Sequence, residues 1–222
     1  MTVLDLWTLL RAAGFTVLIA AGAIPLATVA AIILLGVGQS RLWLLRAIYV
    51  GLRWLIRGTP LLLLAMIVFY GLYAANFTPN RYVAGILAIA AYHMIFYAEV
   101  FRGAYESIPR SMFDSSRSLG LSRSATFRRV VVPLVVRQAL PPYVNVCVMT
   151  IKASSILSVI GVWELTYASR EITERSLAVF SVIGAAGAIY FVICFLVDRL
   201  GKVFERRLAE RGFSHELRGL HS

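Results

Sequence analysis

Between Arg11 and Arg41 the chain carries no charged residue. About 20 mostly apolar residues suffice to cross the hydrocarbon core of a bilayer as a helix. Four further apolar stretches follow, and the expected spans are 16–38, 58–75, 82–98, 140–162 and 177–197. These runs are long and lack regular alternation, which argues against strands. Composition points the same way: 59% of the 222 residues are hydrophobic and only 15% are charged. A water-soluble domain carries about 25% charged residues, so the excess apolar surface needs lipid as its solvent. The expected fold class is an all-α membrane protein, a bundle of about five transmembrane helices in a single domain over 1–222. The first run exceeds the roughly 7–15 residues of a signal-peptide core and is expected to stay in the mature protein.

The formal net charge is +11. A basic balance can signal nucleic acid, but here the basic residues lie between apolar runs. Anionic lipid and protein partners explain them, and no nucleic-acid binding is expected. Arg41, Arg46, Arg53 and Arg57 occupy the first connection. Arg102, Arg110, Arg117, Arg123, Arg128, Arg129 and Arg137 occupy the third, and six more basic residues follow position 198. The other side holds Arg11, Arg81, Arg170 and Arg175, and Lys152 lies within a span. Basic loops stay in the cytoplasm. The N-terminus is therefore expected outside and the tail, 198–222, inside, as an odd number of spans requires. Cys147 and Cys194 lie in apolar stretches without a CxxC neighbour, so neither a disulfide framework nor a zinc site is expected.

The third connection, about 103–133, is too patterned for a linker. Ile108, Met112 and Leu119 recur at helical spacing, with Phe113 alongside. Gly120 is placed to end that helix, and Ser122 to cap a second one. In the second, Phe127, Val130, Val131 and Leu134 share a face, and Pro133 is expected to limit its continuation. The product is a short helix–turn–helix with apolar knobs and a basic surround. It can dock into a groove on a soluble partner or lie on lipid.

Asp114-Ser115-Ser116, Gly120 and Val130-Val131-Val132-Pro133 resemble the EAA loop of ABC importer permeases. That loop reads EAA, three residues, G, nine residues, I, any residue, LP; the spacing is kept, with Asp for Glu, Ser for Ala and Val for Ile and Leu. Arg57-Gly58-Thr59-Pro60-Leu61-Leu62, Ala98-Glu99 with Arg102-Gly103, Lys152-Ala153-Ser154-Ser155 and Glu164-Leu165-Thr166 resemble segments of the polar amino acid branch. The resemblance implies a permease subunit of the bacterial inner membrane that moves an amino acid or derivative inward by alternating access. It implies a second permease subunit, identical or paralogous, and two cytoplasmic ATPase subunits that hold the ATP and magnesium. It also implies an extracytoplasmic solute-binding protein. By this resemblance the residues that meet the ATPase are Ile108, Met112, Asp114, Ser115, Ser116, Leu119 and Gly120. No G-x-x-x-x-G-K-[ST] segment occurs, so the chain is expected to be non-catalytic and to bind no cofactor itself.

Lys152 at mid-membrane must face protein or water. Either it belongs, with Ser154 and Ser155, to a polar patch on the solute pathway, or it is a structural tether. Glu164 either meets solute or the delivering protein, or caps the following segment. Glu99 and Arg102 are placed to pair at i, i+3, and Arg57 is read as a membrane-face anchor. His93 stands among apolar residues and is read as packed; no catalytic or metal-binding set stands out. An ion-coupled secondary transporter or channel is the alternative. The internal repeats and paired midplane acids common in such carriers are not seen.

Overall fold

The chain's computed structural model describes residues 2–78 and 80–219, with side chains through Leu208. Every regular element among them is helical. Helix α1 (Val3–Gly38) opens on a capping box, in which the Thr2 hydroxyl accepts from the Asp5 N–H and the Asp5 carboxylate from the Thr2 N–H. It runs through Pro25 without a break. Helices α2 (Trp43–Gly58) and α3 (Leu61–Ala74) follow, with a bend of 112° between them. After α4 (Arg81–Glu106) come α5 (Arg110–Ser118) and α6 (Arg123–Thr126). A π-helical turn, Phe127–Val131, leads into α7 (Val132–Ala153), and a 3₁₀ segment, Ser154–Ile160, extends it. Helices α8 (Leu165–Ser176) and α9 (Val179–Gly219) complete the order.

Among the described residues, four stretches are long and apolar enough to cross a membrane: Val3–Gly38, Arg81–Glu106, Arg123–Ile160 and Val179–Leu208. The bent pair α2–α3 makes a fifth if counted as one span. The expected bundle of about five helices is therefore present, with three differences in detail. The span expected over 58–75 is a 14-residue helix that begins after Pro60. The third span runs on to Glu106, into the segment assigned to the loop. The fourth does not begin near 140 but continues from the second loop helix.

That last difference corrects the expectation for Pro133. The second loop helix is not a separate arm, and Pro133 does not limit it. Proline supplies no N–H and its ring crowds the carbonyl four residues back. Widening the preceding turn absorbs the misfit: the Val132 N–H reaches back five residues to Phe127 O, as in a π-bulge. Pro141 and Pro142 likewise lie inside α7.

The chain divides into two compact units, Met1–Ala98 with Val146–Leu196, and Glu99–Asn145 with Val197–Ser222. The first has two apolar clusters. Ile19, Ala23, Phe69, Ala88, Ile89, Leu157 and Val162 join α1, α3, α4 and the 3₁₀ segment. Leu9, Ala12, Leu165, Ala168, Ile172 and Val182 join α1 to α8 and α9. Ala12, Ala23, Ala27 and Ala31 on α1 expose no surface. Small side chains let helix backbones approach closely, which is how helices gain contact where lipid leaves little hydrophobic drive. In the second unit, a Cβ built on Gly201 of α9 would stand 2.6 Å from both methyls of Val144 on α7, so only glycine permits that approach.

Candidate functional site

The loop helix α5 begins after Pro109, which has extended geometry and serves as its N-cap residue. Its C-terminus is closed by a Schellman motif: the Gly120 N–H reaches Arg117 O at 2.9 Å and the Leu121 N–H reaches Ser116 O at 3.0 Å. Gly120 adopts φ +73°, a left-handed conformation that glycine enters at little cost. Nothing lies within 4 Å of where its Cβ would be, so backbone conformation rather than crowding selects glycine there. The Ser122 hydroxyl then accepts from the Ala125 N–H at 3.2 Å and starts α6.

This geometry sorts the residues assigned to coupling. Leu119, at 79% exposed, and Met112, at 38%, project from the unit. Asp114 and Ser115 are exposed, and Arg117 lies 3.7 Å from the Asp114 carboxylate. Ser116 is buried and donates to Met112 O at 2.7 Å, which ties the middle of α5 to its own first turn. Ile108 precedes the helix and is packed inside the unit. The exposed apolar residues of the turn are thus Met112 and Leu119, and Ile108 anchors the segment from within. Between the arms lies a cleft of about 260 Å³ lined by Tyr105, Phe113, Arg117, Arg123 and Phe127, among others. The loop is braced where it leaves α4: Arg102 pairs with Glu99 and with Glu106, each at 2.7 Å, and the Ser107 hydroxyl bonds Gln138 of α7.

The residues assigned to the solute path are not drawn into one cluster. Lys152 is exposed at the end of α7. Ser154 is buried and donates to Ile151 O, and Ser155 donates to Lys152 O, each at 2.8 Å. Glu164 has no exposed surface. It is the N-cap of α8, its Oε1 accepting from the Tyr167 N–H at 2.8 Å. Its Oε2 accepts from the Tyr190 hydroxyl of α9 at 2.7 Å and faces the Thr16 hydroxyl of α1 at 3.5 Å. Thr16 Oγ1 in turn accepts from the Leu165 N–H at 3.2 Å. One carboxylate therefore joins α1, α8 and α9 where the backbone starts a helix. A buried carboxylate persists only when its oxygens are bonded in this way.

Beside this node is a cavity of about 410 Å³ lined by Thr166, Ser169, Arg170, Thr173, Glu174 and Tyr190, with Ile183, Ala186 and Gly187 as its apolar wall. Thr166 and Tyr190 share a hydrogen bond of 3.1 Å at its edge. Sequence reasoning missed Thr16, Tyr190 and this polar face of α8. The signal was available for α8: residues 166, 169, 170 and 173 repeat at the spacing of one helix face. His93 is packed as expected, Nδ1 lying 3.0 Å from Ile89 O. Both cysteines are buried, and the Tyr97 hydroxyl lies 3.5 Å from Cys147 Sγ. No cluster of three metal-ligating side chains occurs among the described residues.

The family described as binding-protein-dependent transport system inner membrane component matches residues 23–210. The octopine transport system permease protein OccM of Rhizobium radiobacter is 32% identical over 158 residues, which are 67% of this chain and 64% of that protein. The chain thus spans somewhat less than two thirds of that relative's length. The glutamine transport system permease protein GlnP of Escherichia coli strain K12 is 32% identical over 155 residues, 69% of this chain and 71% of that protein. Among solved structures, an amino acid ABC transporter crystallised with histidines superposes with a TM-score of 0.83 and 25% identity, covering 90% of this chain and 94% of that one.

Proposed function

We propose, because this chain belongs to the family of binding-protein-dependent transport system inner membrane components, that it is the translocation subunit of an ATP-driven importer of an amino acid or amino-acid derivative. The observation that carries this reading is the loop helix α5, closed by glycine at φ +73° and exposing Met112 and Leu119 beside Asp114 and Ser115. A short rigid helix bearing two apolar side chains suits a groove on a soluble partner. The Arg102 pairs with Glu99 and Glu106 stiffen the last turns of α4, from which the loop departs.

The work in this reading divides between chains. A cytoplasmic ATPase dimer binds and hydrolyses ATP; each ATPase receives one α5 and moves it as it closes. A second permease subunit completes the pathway, and an external binding protein delivers the solute. The N-terminus is outside and the tail inside. The polar face of α8 borders the pathway, with Glu164 holding α8 in place from behind. Lys152, at the end of α7, and Ser155, in the 3₁₀ segment, belong to the same route. The relatives that transport octopine and glutamine support an amino-acid class of solute.

Reconstitution tests this. Liposomes containing the chain with its ATPase and binding protein should accumulate labelled amino acid only with ATP on the ATPase side, and should continue after ion gradients are collapsed. Accumulation by the chain alone, driven by an ion gradient, would overturn the proposal.

A further inference from the structure

Helix α8 carries four charged side chains, and they fall into two pairs with different surroundings. Glu171 accepts from the Trp163 indole N–H at 2.9 Å, and Arg175 pairs with Asp5 of α1. Both are thereby engaged within the fold. Arg170 and Glu174 are exposed and line the cavity between α8 and α9. No ion pair joins them to each other among the described residues. Their order, basic residue four before acidic, is the weaker one for pairing along a helix. Thr166, Ser169 and Thr173 share the cavity-lining face of α8 with these two charges. The Thr166 hydroxyl is bonded to Tyr190 and the Ser169 hydroxyl to Thr166 O. Thr173 Oγ1 is buried and has no hydrogen-bond partner among the described residues. Such a group is an exception in folded proteins, explained when another molecule supplies the bond. Glu164, bonded to Tyr190 and facing Thr16, fixes the start of α8 and with it the place of this face.

The charges decide what the cavity takes. A lone anion would meet Glu174, and a lone cation would meet Arg170; both are repelled by one of the two. A guanidinium and a carboxylate one helical turn apart, with about 5–6 Å between their Cβ atoms, suit a molecule that holds an anion and a cation close together. We propose that the cavity binds the α-carboxylate and α-ammonium of an amino acid, with Arg170 holding the first and Glu174 the second. The guanidinium fork matches two carboxylate oxygens, and the Thr173 hydroxyl gains its missing partner from the same group. The solute's side chain lies along Ile183 and Ala186 of α9, a wall without charge. The site therefore reads the part that amino acids share and discriminates little between their side chains. This assignment rests on the importer reading above and adds to it the residues that hold the solute.

Protection of a cysteine in the cavity tests it. Ile183→Cys is placed in the full chain, reconstituted with its ATPase, and its rate of reaction with a maleimide is followed. An equimolar mixture of the twenty L-amino acids should slow that reaction. The half-protecting concentration should rise at least about tenfold in Arg170→Gln and in Glu174→Gln, as the loss of one charge-assisted hydrogen bond implies. The same mixture with its carboxylates amidated, or with its amino groups acetylated, should not protect; this arm leaves both charged side chains in place. Equal protection by the amidated or the acetylated mixture overturns the proposal, as does an unchanged half-protecting concentration in both glutamine variants. ATP-driven uptake by the Ile183→Cys complex without any protection overturns the site and leaves the importer reading intact. Protection without uptake supports the site and removes that reading, and absence of both overturns the two together.

Discussion

Tyr190 donates its phenolic hydrogen to Glu164 Oε2 at 2.7 Å. The bond links the N-terminal third of α9 to the N-cap of α8, and Thr16 brings α1 to the same carboxylate. Removing the carboxylate therefore does more than shorten a side chain. Glu164→Ala deletes an N-cap worth about 1 kcal/mol and removes the carboxylate that accepts from the Tyr190 hydroxyl and faces Thr16, at about 1–3 kcal/mol. We expect it to lower the thermal unfolding midpoint in detergent by several degrees. Glu164→Gln, which keeps one carbonyl oxygen, should recover part of that loss. Equal midpoints for the unaltered chain and Glu164→Ala would show that the node is dispensable.

Gly120 closes α5 in a left-handed conformation with open space around it. Any other residue pays mainly for the backbone, about 1–2 kcal/mol, and asparagine pays less. Gly120→Val should leave the chain inserted but reorient α5, so that solute uptake falls by an order of magnitude or more. Gly120→Asn should retain most of it. Normal uptake in Gly120→Val would remove the turn from the coupling device.

Met112 and Leu119 are exposed in the isolated chain, so truncating them costs the chain little of its own stability. If they fill a groove on the ATPase, each truncation costs the complex about 2–5 kcal/mol, as in a packed core. Met112→Ala with Leu119→Ala should release the ATPase from a purified complex while the permease midpoint stays put. A crosslinker placed by Ser115→Cys should capture the ATPase. Capture of lipid alone, in an intact complex, would falsify the docking.

Gly201 passes so close to Val144 that a methyl group does not fit. Overpacking of this kind costs about 1–3 kcal/mol, and branched valine has little freedom to turn away. Gly201→Ala should lower the midpoint, and Val144→Ala in the same chain should restore most of it. Without that compensation, the clash is not the cause.

Charge placement predicts that Asn80 and Lys202 face opposite sides of the membrane. Single substitutions Asn80→Cys and Lys202→Cys should react with an impermeant thiol reagent from opposite sides. The native Cys147 and Cys194 are buried and should add little background. Labelling of both from one side would overturn the orientation.

What was legible in the sequence is what depends on local chemistry. Uncharged runs announced helices in lipid, because an unpaired charge there is costly wherever the helix packs. Gly120 and Ser122 announced the turn between the loop helices, since a left-handed residue and an N-cap act on their nearest neighbours. The Glu99–Arg102 pair followed from a spacing of three on one helix. Tertiary structure decided what depends on distant partners. That Glu164 is buried and holds α1, α8 and α9 could not be read from its own neighbourhood, because its acceptors are satisfied by Thr16, 148 residues before it, and by Tyr190. Ile108 and Met112 share a periodicity, yet one is packed within the unit and the other exposed. Helix periodicity assigns a face but not what the fold lays against it. Pro133 carried a local signal to stop, and the helix passed it with one wide turn, in which the Val132 N–H reaches Phe127 O and the backbone stays bonded despite the missing proline N–H.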